Sequence, residues 1–187
     1  MPDLSTSYLA STNYTNYVGS IGNLQTWTAN MYQGEVLTEE ISGEALEFGQ
    51  LCYKDFRGNW NLANGSIINA AAINMLGICL QTTIGGNEPT KILVNGYVQT
   101  NFTIESGENG TPLYMSALKL GFTTYTAPSE LGNVVRLVGY NIVDSSLQSN
   151  GLGITYFKPD NTWIEYTGRG WTYGIGGGVD VPIDVLL

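Results

Sequence analysis

The chain has 187 residues, of which 43% are hydrophobic and only 12% charged, about half the usual ~25%, and it contains 24 Gly and 12 Tyr. Its net charge of −9 and its seven scattered Lys and Arg residues argue against nucleic-acid binding, because phosphate backbones are held by clustered cations that displace counterions. With no histidine present, His-dependent catalytic triads and His-ligated metals are excluded.

The same composition bounds the class of protein. Disordered chains are aromatic-poor and charge-rich, so 12 Tyr and low charge point to folded structure. Its polar residues are mainly Asn, Thr, Ser and Gln, which lose little when covered by another subunit, whereas Lys and Glu are depleted from interface cores. No apolar run reaches the ~18 residues of a transmembrane helix. The first residues, MPDLSTSYLA, lack the basic and apolar regions of a secretory signal. Cys52 and Cys79 sit in apolar runs and read as two buried thiols behaving as small hydrophobes, which suits synthesis in a reducing cytoplasm; a disulfide between them is the alternative and needs Cα atoms within about 7 Å.

In chain order, residues 1–33 carry Tyr8, Tyr14, Tyr17, Trp27 and Tyr32 among Ser, Thr and Asn, with Asp3 the one charge. Neither helical nor strand periodicity runs through them. They read as an extended N-terminal arm that docks on a partner or exchanges between subunits; wrapping around its own domain is the alternative. Leu51-Cys52-Tyr53, the turn Lys54–Gly58, and Asn59-Trp60-Asn61-Leu62 read as a hairpin whose glycine takes positive φ. Ala63 to Asn74 is Ala-rich and reads as a short helical turn. Met75 to Leu80 returns as a strand.

The central stretch, Lys91 to Val143, holds three apolar runs bounded by Gly, Pro, Asn and Ser, the pattern of strands between turns. Lys91–Thr103 reads as a strand pair bent at Gly96, followed by Pro112–Met115 and by Val134–Val138. Residues 110–143 loosely repeat the pattern of 51–80: Gly77 follows Tyr53 by 24 positions, and Gly139 follows Tyr114 by 25. Two copies of one small β unit are expected. Ile154–Phe157 and Thr162–Tyr166 flank Lys158-Pro159-Asp160-Asn161 and read as a hairpin, since Pro presets the first turn position and Asp and Asn suit the later ones. In the tail, Gly174–Gly178 is a glycine run, and Pro182 confines the apolar end to an edge strand or extended arm.

The chemistry available is sparse. Glu39, Glu40, Glu44 and Glu47 crowd one stretch, and Asp180 and Asp184 the tail. Glycosidases set two carboxylates about 5–9.5 Å apart across a cleft, and nothing in the pattern builds a cleft, so these read as solvated carboxylates. The glycine run lacks the Lys-Ser/Thr of a phosphate loop. No enzyme activity, cofactor or metal is expected. Among the aromatics, Trp60 and Trp163 read as core, whereas Trp171 and Tyr173, in a Gly-rich segment, read as interface anchors.

Taken together, the run Ile92-Leu93-Val94-Asn95-Gly96-Tyr97-Val98, then GTPLYMS from Gly110, Gly121-Phe122-Thr123-Thr124, APSELGNVVRLVGY from Ala127, and Tyr156-Phe157-x-Pro159-Asp160 resembles the β modules of tailed-bacteriophage virion proteins. The resemblance is particularly to head fibre and capsid decoration proteins, including those of crAss-like phages. The likeness spans Gly34 to Tyr166. It implies a small all-β protein, commonly a homotrimer, attached by its N-terminal segment to the outer capsid surface through the major capsid protein or another shell protein. The expected architecture is a compact antiparallel β-barrel or sandwich over residues 34–166, with two pseudo-repeated units, between the arm of residues 1–33 and a tail of residues 167–187 that packs on a neighbour. The alternative is a tail or appendage module that binds host surface glycans. Tyr8, Tyr14, Tyr17, Trp27, Trp171 and Tyr173 are the expected interface residues, with no membrane or nucleic-acid partner.

Overall fold

Short runs rich in Val, Ile, Leu and Tyr between turn formers have few options other than strands, because they are too short for a stable helix. The computed structural model describes residues 30–66, 74–100, 109–143, 153–166, 171–175 and 179–182, and no helix occurs among them. The strands are β1 (Tyr32–Ser42), β2 (Leu51–Lys54), β3 (Asn59–Leu62), β4 (Leu76–Cys79), β5 (Pro89–Thr100), β6 (Pro112–Met115) and β7 (Thr123–Thr124). They continue with β8 (Val134–Val135), β9 (Leu137–Val143), β10 (Gly153–Phe157), β11 (Thr162–Tyr166), β12 (Trp171–Ile175) and β13 (Val179–Pro182). The all-β class is as expected.

Nine strands form one sheet in the order β1-β3-β2-β4-β5-β10-β9-β6-β7, and β1 also pairs with β5. Strands β1, β3, β2, β4 and β5 therefore close into a ring, while β10, β9, β6 and β7 run on from β5. The β1–β3 pairing is parallel, so the sheet is mixed and is not a plain antiparallel barrel. A second sheet has the order β13-β12-β11-β8. Its edge strand β13 ends at Pro182, where the missing N–H costs no ladder bond.

Strand alternation divides the apolar residues between two cores. Cys52, Trp60, Cys79, Ile92 and Leu46 form one buried cluster, with Leu37, Leu62 and Val94 against it. These residues come from all five strands of the ring, which places this core inside it. Their immediate neighbours Leu51, Ile78 and Leu93 point the other way, into a second cluster with Val98, Leu113, Val138, Phe157 and Trp163. Burying neighbours alternately on both faces is what makes these strands read as continuous apolar runs.

Three expectations change. The stretch around Gly96 is one long strand, β5, rather than a strand pair. Gly96 (φ +143°) lies opposite Gly34 (φ +151°) in the β1–β5 register; a Cβ on Gly96 would meet the Gln33 carbonyl oxygen at 2.1 Å, so the strands cross closely there without breaking. The Val134–Val138 run divides at Arg136, because β8 belongs to the small sheet and β9 to the large one.

The hairpin expected around Pro159 does not form. β10 pairs with β5 and β9, whereas β11 pairs with β12 and β8. The physical reason lies in the turn: the Lys158 N–H donates to the Val138 carbonyl at 3.0 Å and the Asp160 N–H to the Leu137 carbonyl at 2.9 Å. The turn is held to β9, so it carries the chain between sheets. The 51–62 hairpin does form, with Cys52 opposite Leu62 and Lys54 opposite Trp60, and Gly58 takes φ +90° in its turn. The helical turn expected over 63–74 falls largely on residues 67–73, outside the described residues.

Both cysteines are free and buried in the ring core. Burial pushes the Cys52 thiol well up, helped by the neighbouring Cys79 and Glu44, and burial likewise raises Cys79. Thiolate is the reactive form, so neither should react with an aromatic disulfide reagent at pH 8 while the chain is folded. Both should react in guanidinium chloride. A native thiol that titrates promptly would show that the ring opens or that its core is not closed.

Candidate interaction surfaces

The residues expected at an interface distribute unevenly. Tyr8, Tyr14, Tyr17 and Trp27 lie outside the described residues. Trp171 and Tyr173 both fall on β12, opposite Tyr166 and Ile164 of β11, with Tyr173 also opposite Val181 of β13. Trp60 is fully buried and Trp163 is 4% exposed, so both serve the core, as the sequence suggested.

Of the crowded carboxylates, Glu39, Glu44 and Glu47 are exposed as expected, Asp184 lies outside the described residues, and two carboxylates also hold structure. Glu40 Oε2 accepts from the Trp60 indole N–H and from Lys54 Nζ, each at 2.6 Å. Glu44 Oε1 accepts the Leu62 amide at 2.8 Å. Among the described residues, no three His, Cys, Asp or Glu come together as metal ligands would.

Among the described residues, Arg136 is the one cation taken into the interior, at 3% exposure. Its Nε donates to the Asp160 carbonyl at 2.9 Å and its Nη1 to the Asn74 carbonyl at 2.7 Å. Arg136 sits where the chain passes from β8 to β9, and Asp160 where it passes from β10 to β11. One side chain thus ties together two of the three crossings between the sheets, β8 to β9 and β10 to β11. Burial lowers the guanidinium to about 10, opposed by the Asp160 carboxylate. That carboxylate is itself held below its usual range, first by the Thr162 amide, and Arg136 adds a smaller pull.

Among the described residues, three exposed features stand out. On the large sheet, Gln33, Tyr97, Tyr156, Tyr140 and Pro112 are successive register partners across β1, β5, β10, β9 and β6. The Tyr97 and Tyr156 rings stack with centroids 4.8 Å apart, and Tyr140 is 39% exposed. Elsewhere, a cavity of about 150 Å³ opens between residues 116–118 and 124–133, with Ala117, Thr124, Ala127, Pro128 and Glu130 on its walls. Leu118 is on its wall and Leu131 follows the lining residue Glu130 in the chain; they are 82% and 67% exposed. No aromatic side chain lines it. At the β2–β3 turn, Phe56 is 91% exposed.

Sequence reasoning missed these. Phe56 and Leu118 count as core candidates by residue type, and the cavity depends on two loops meeting. The clue available for Phe56 was its place at the tip of Asp55-Phe56-Arg57-Gly58, where a hydrophobe has no inward direction to take.

The geometry thus defines an all-β chain with a filled ring, a second sheet pinned to it, and exposed apolar and aromatic surfaces. Compared with protein-family models, curated proteins and solved structures, the chain gives no match in any of the three.

Proposed function

We propose that this chain is a structural virion protein, a head fibre or capsid decoration protein that sits as a homotrimer on the outer capsid surface of a tailed bacteriophage. It acts by binding and assembly rather than by catalysis, and it is made in the host cytoplasm. The observation that carries this reading is where the family-like motifs fall. The Ile92–Val98 run is in β5, Pro112–Met115 is β6, Thr123–Thr124 is β7, Leu137–Tyr140 opens β9 and Tyr156-Phe157 closes β10. All five strands are neighbours in one sheet, in the order β5-β10-β9-β6-β7, so most of the resembling runs share one structural unit, while Val134-Val135 of the same pattern is β8 in the small sheet. In this reading residues 1–33 attach to a shell protein, and the segment with Trp171 and Tyr173 packs on a neighbour.

We also propose that the module contains two copies of one β unit. The register supports it: Cys52 opposes Gly77 as Leu113 opposes Gly139, Leu51 opposes Ile78 as Pro112 opposes Tyr140, and Tyr53 opposes Asn61 as Tyr114 opposes Thr124.

A second reading, a tail or appendage module for host glycans, draws support from the Tyr97–Tyr156–Tyr140 row, since sugars stack on aromatic faces. The cavity without aromatic lining and the two buried tryptophans weigh against it. Immunogold labelling of intact virions with an antibody against residues 34–166 separates the readings. Even label over heads is the expected result; label at the tail tip favours the glycan reading; particles with no label overturn both.

A further inference from the structure

The geometry points to a knob-and-hole contact between copies of this chain, in which Phe56 of one copy enters the cavity between residues 116–118 and 124–133 of the next, with Arg57 facing Glu130. The inference rests on the homo-oligomer reading above and specifies its contact.

The knob is rigid before it binds. Asp55 Oδ1 accepts the Arg57 and Asn59 amides at 2.9 and 2.8 Å, and the Gly58 amide donates to the Asp55 carbonyl at 3.0 Å. Phe56 projects from this closed turn, and the Arg57 guanidinium lies 5.3 Å from its ring centre. A turn already closed loses little backbone freedom on docking. Its 91% exposure also means that it does not fill the cavity of its own chain.

The hole is rigid too. Ser116 Oγ accepts the Leu118 and Lys119 amides at 3.1 and 3.0 Å, and the Asn133 amide donates to the Glu130 carbonyl at 3.0 Å. Its volume of about 150 Å³ equals that of a cavity that accepts benzene, ~150 Å³, so by volume there is room for a phenyl ring. Exposed Leu118 and Leu131 would be covered around the ring, as interface anchors are surrounded by groups that exclude water.

Charge favours the same pairing. Arg57 accompanies the knob and the Glu130 carboxylate the hole. Lys119, the cation nearest the cavity in sequence, lies 3.6 Å from the centre of the Phe122 ring and is engaged there. Knob and hole are different patches of one chain, so the contact is head-to-tail, and such contacts close into rings when the rotation permits.

The test is light scattering after size exclusion over a dilution series of the full chain. The wild type is expected to assemble. Phe56→Ser, at an exposed position that leaves the fold and its circular dichroism intact, is expected to weaken assembly about 30-fold or more, as loss of an interface hot spot does. Arg57→Glu and Glu130→Arg are each expected to weaken it, and the double variant to recover. If the wild type assembles and Phe56→Ser assembles equally well, the contact is wrong while the oligomer stands. Failure of the charge-reversed pair to recover overturns the Arg57–Glu130 pairing. A wild type that stays monomeric at its highest soluble concentration removes both the oligomer and this contact.

Discussion

Trp60→Ala is expected to cost about 3–5 kcal/mol of stability, the range for emptying a buried aromatic site. Trp60 is fully buried in the ring core. Its ring stands over Gly77, where even a Cβ would come within 3.0 Å of the indole and 2.2 Å of Ile92. Backbone and side chains on β3, β4 and β5 are thus fitted around one indole, so the space left by alanine cannot close without shifting strands. The substitution also removes the indole donor to Glu40, leaving that carboxylate with Lys54. Trp60→Phe keeps most of the volume and loses the bond to a charged acceptor, which alone is worth about 1.5–3 kcal/mol. The expected order is therefore wild type, then Phe, then Ala, measured by urea unfolding followed by far-ultraviolet circular dichroism. An Ala variant within about 1 kcal/mol of wild type, a loss typical of an average substitution, would mean that the ring is not a packed core.

What the sequence revealed and what it hid divide along sequence distance. Strands β2, β3 and β4 were readable because each contacts neighbours within the same stretch, across turns that carry their own signals such as Gly58. The strand pairings around Pro159 were not, because a Pro-Asp-Asn turn says that the chain reverses and says nothing of what it pairs with. The deciding bonds run to Val138 and Leu137, about twenty residues away. The closure of the ring was hidden for the same reason: β1 meets β5 and β3 through backbone groups that any sequence carries. One signal was available and stronger than the spacing that suggested a repeat. Gly34-Glu35-Val36-Leu37-Thr38 and Gly96-Tyr97-Val98-Gln99-Thr100 share Gly-x-Val-x-Thr, and Gly34 and Gly96 meet at the β1–β5 crossing. For the interaction surface, the turn that presents Phe56 was legible, but its exposure was not. Residue type argues for burial, and only the fold shows that no wall stands in front of that turn.

Arg136 shows how far a nonlocal bond can mislead a reading based on residue type. In the sequence it is one of seven scattered cations, placed in an apolar run. In the fold it joins Asp160 and Asn74 across 24 and 62 positions of chain. Arg136→Ala is expected to cost about 1–3 kcal/mol, since it removes two hydrogen bonds worth about 0.5–1.5 kcal/mol each whose acceptors belong to the exposed Asp160 and the half-buried Asn74. Arg136→Lys should recover only part of that, because a single ammonium lacks the planar fork that lets one guanidinium serve two acceptors in fixed directions. Arg136→Met separates packing from bonding: it fills much of the volume and makes neither bond. If Met restores stability while Lys does not, the site is held by packing, and the staple between the crossings is not what stabilises the fold. If Lys exceeds Met, the hydrogen bonds decide. Amide exchange supplies the spatial check. Loss of the staple should raise exchange first at Lys158, Asp160 and Thr162, where the chain leaves the large sheet, before it reaches Ile92 or Leu93 in the ring. Uniform acceleration across both sheets would instead mean that Arg136 supports global stability and has no special hold on the crossings.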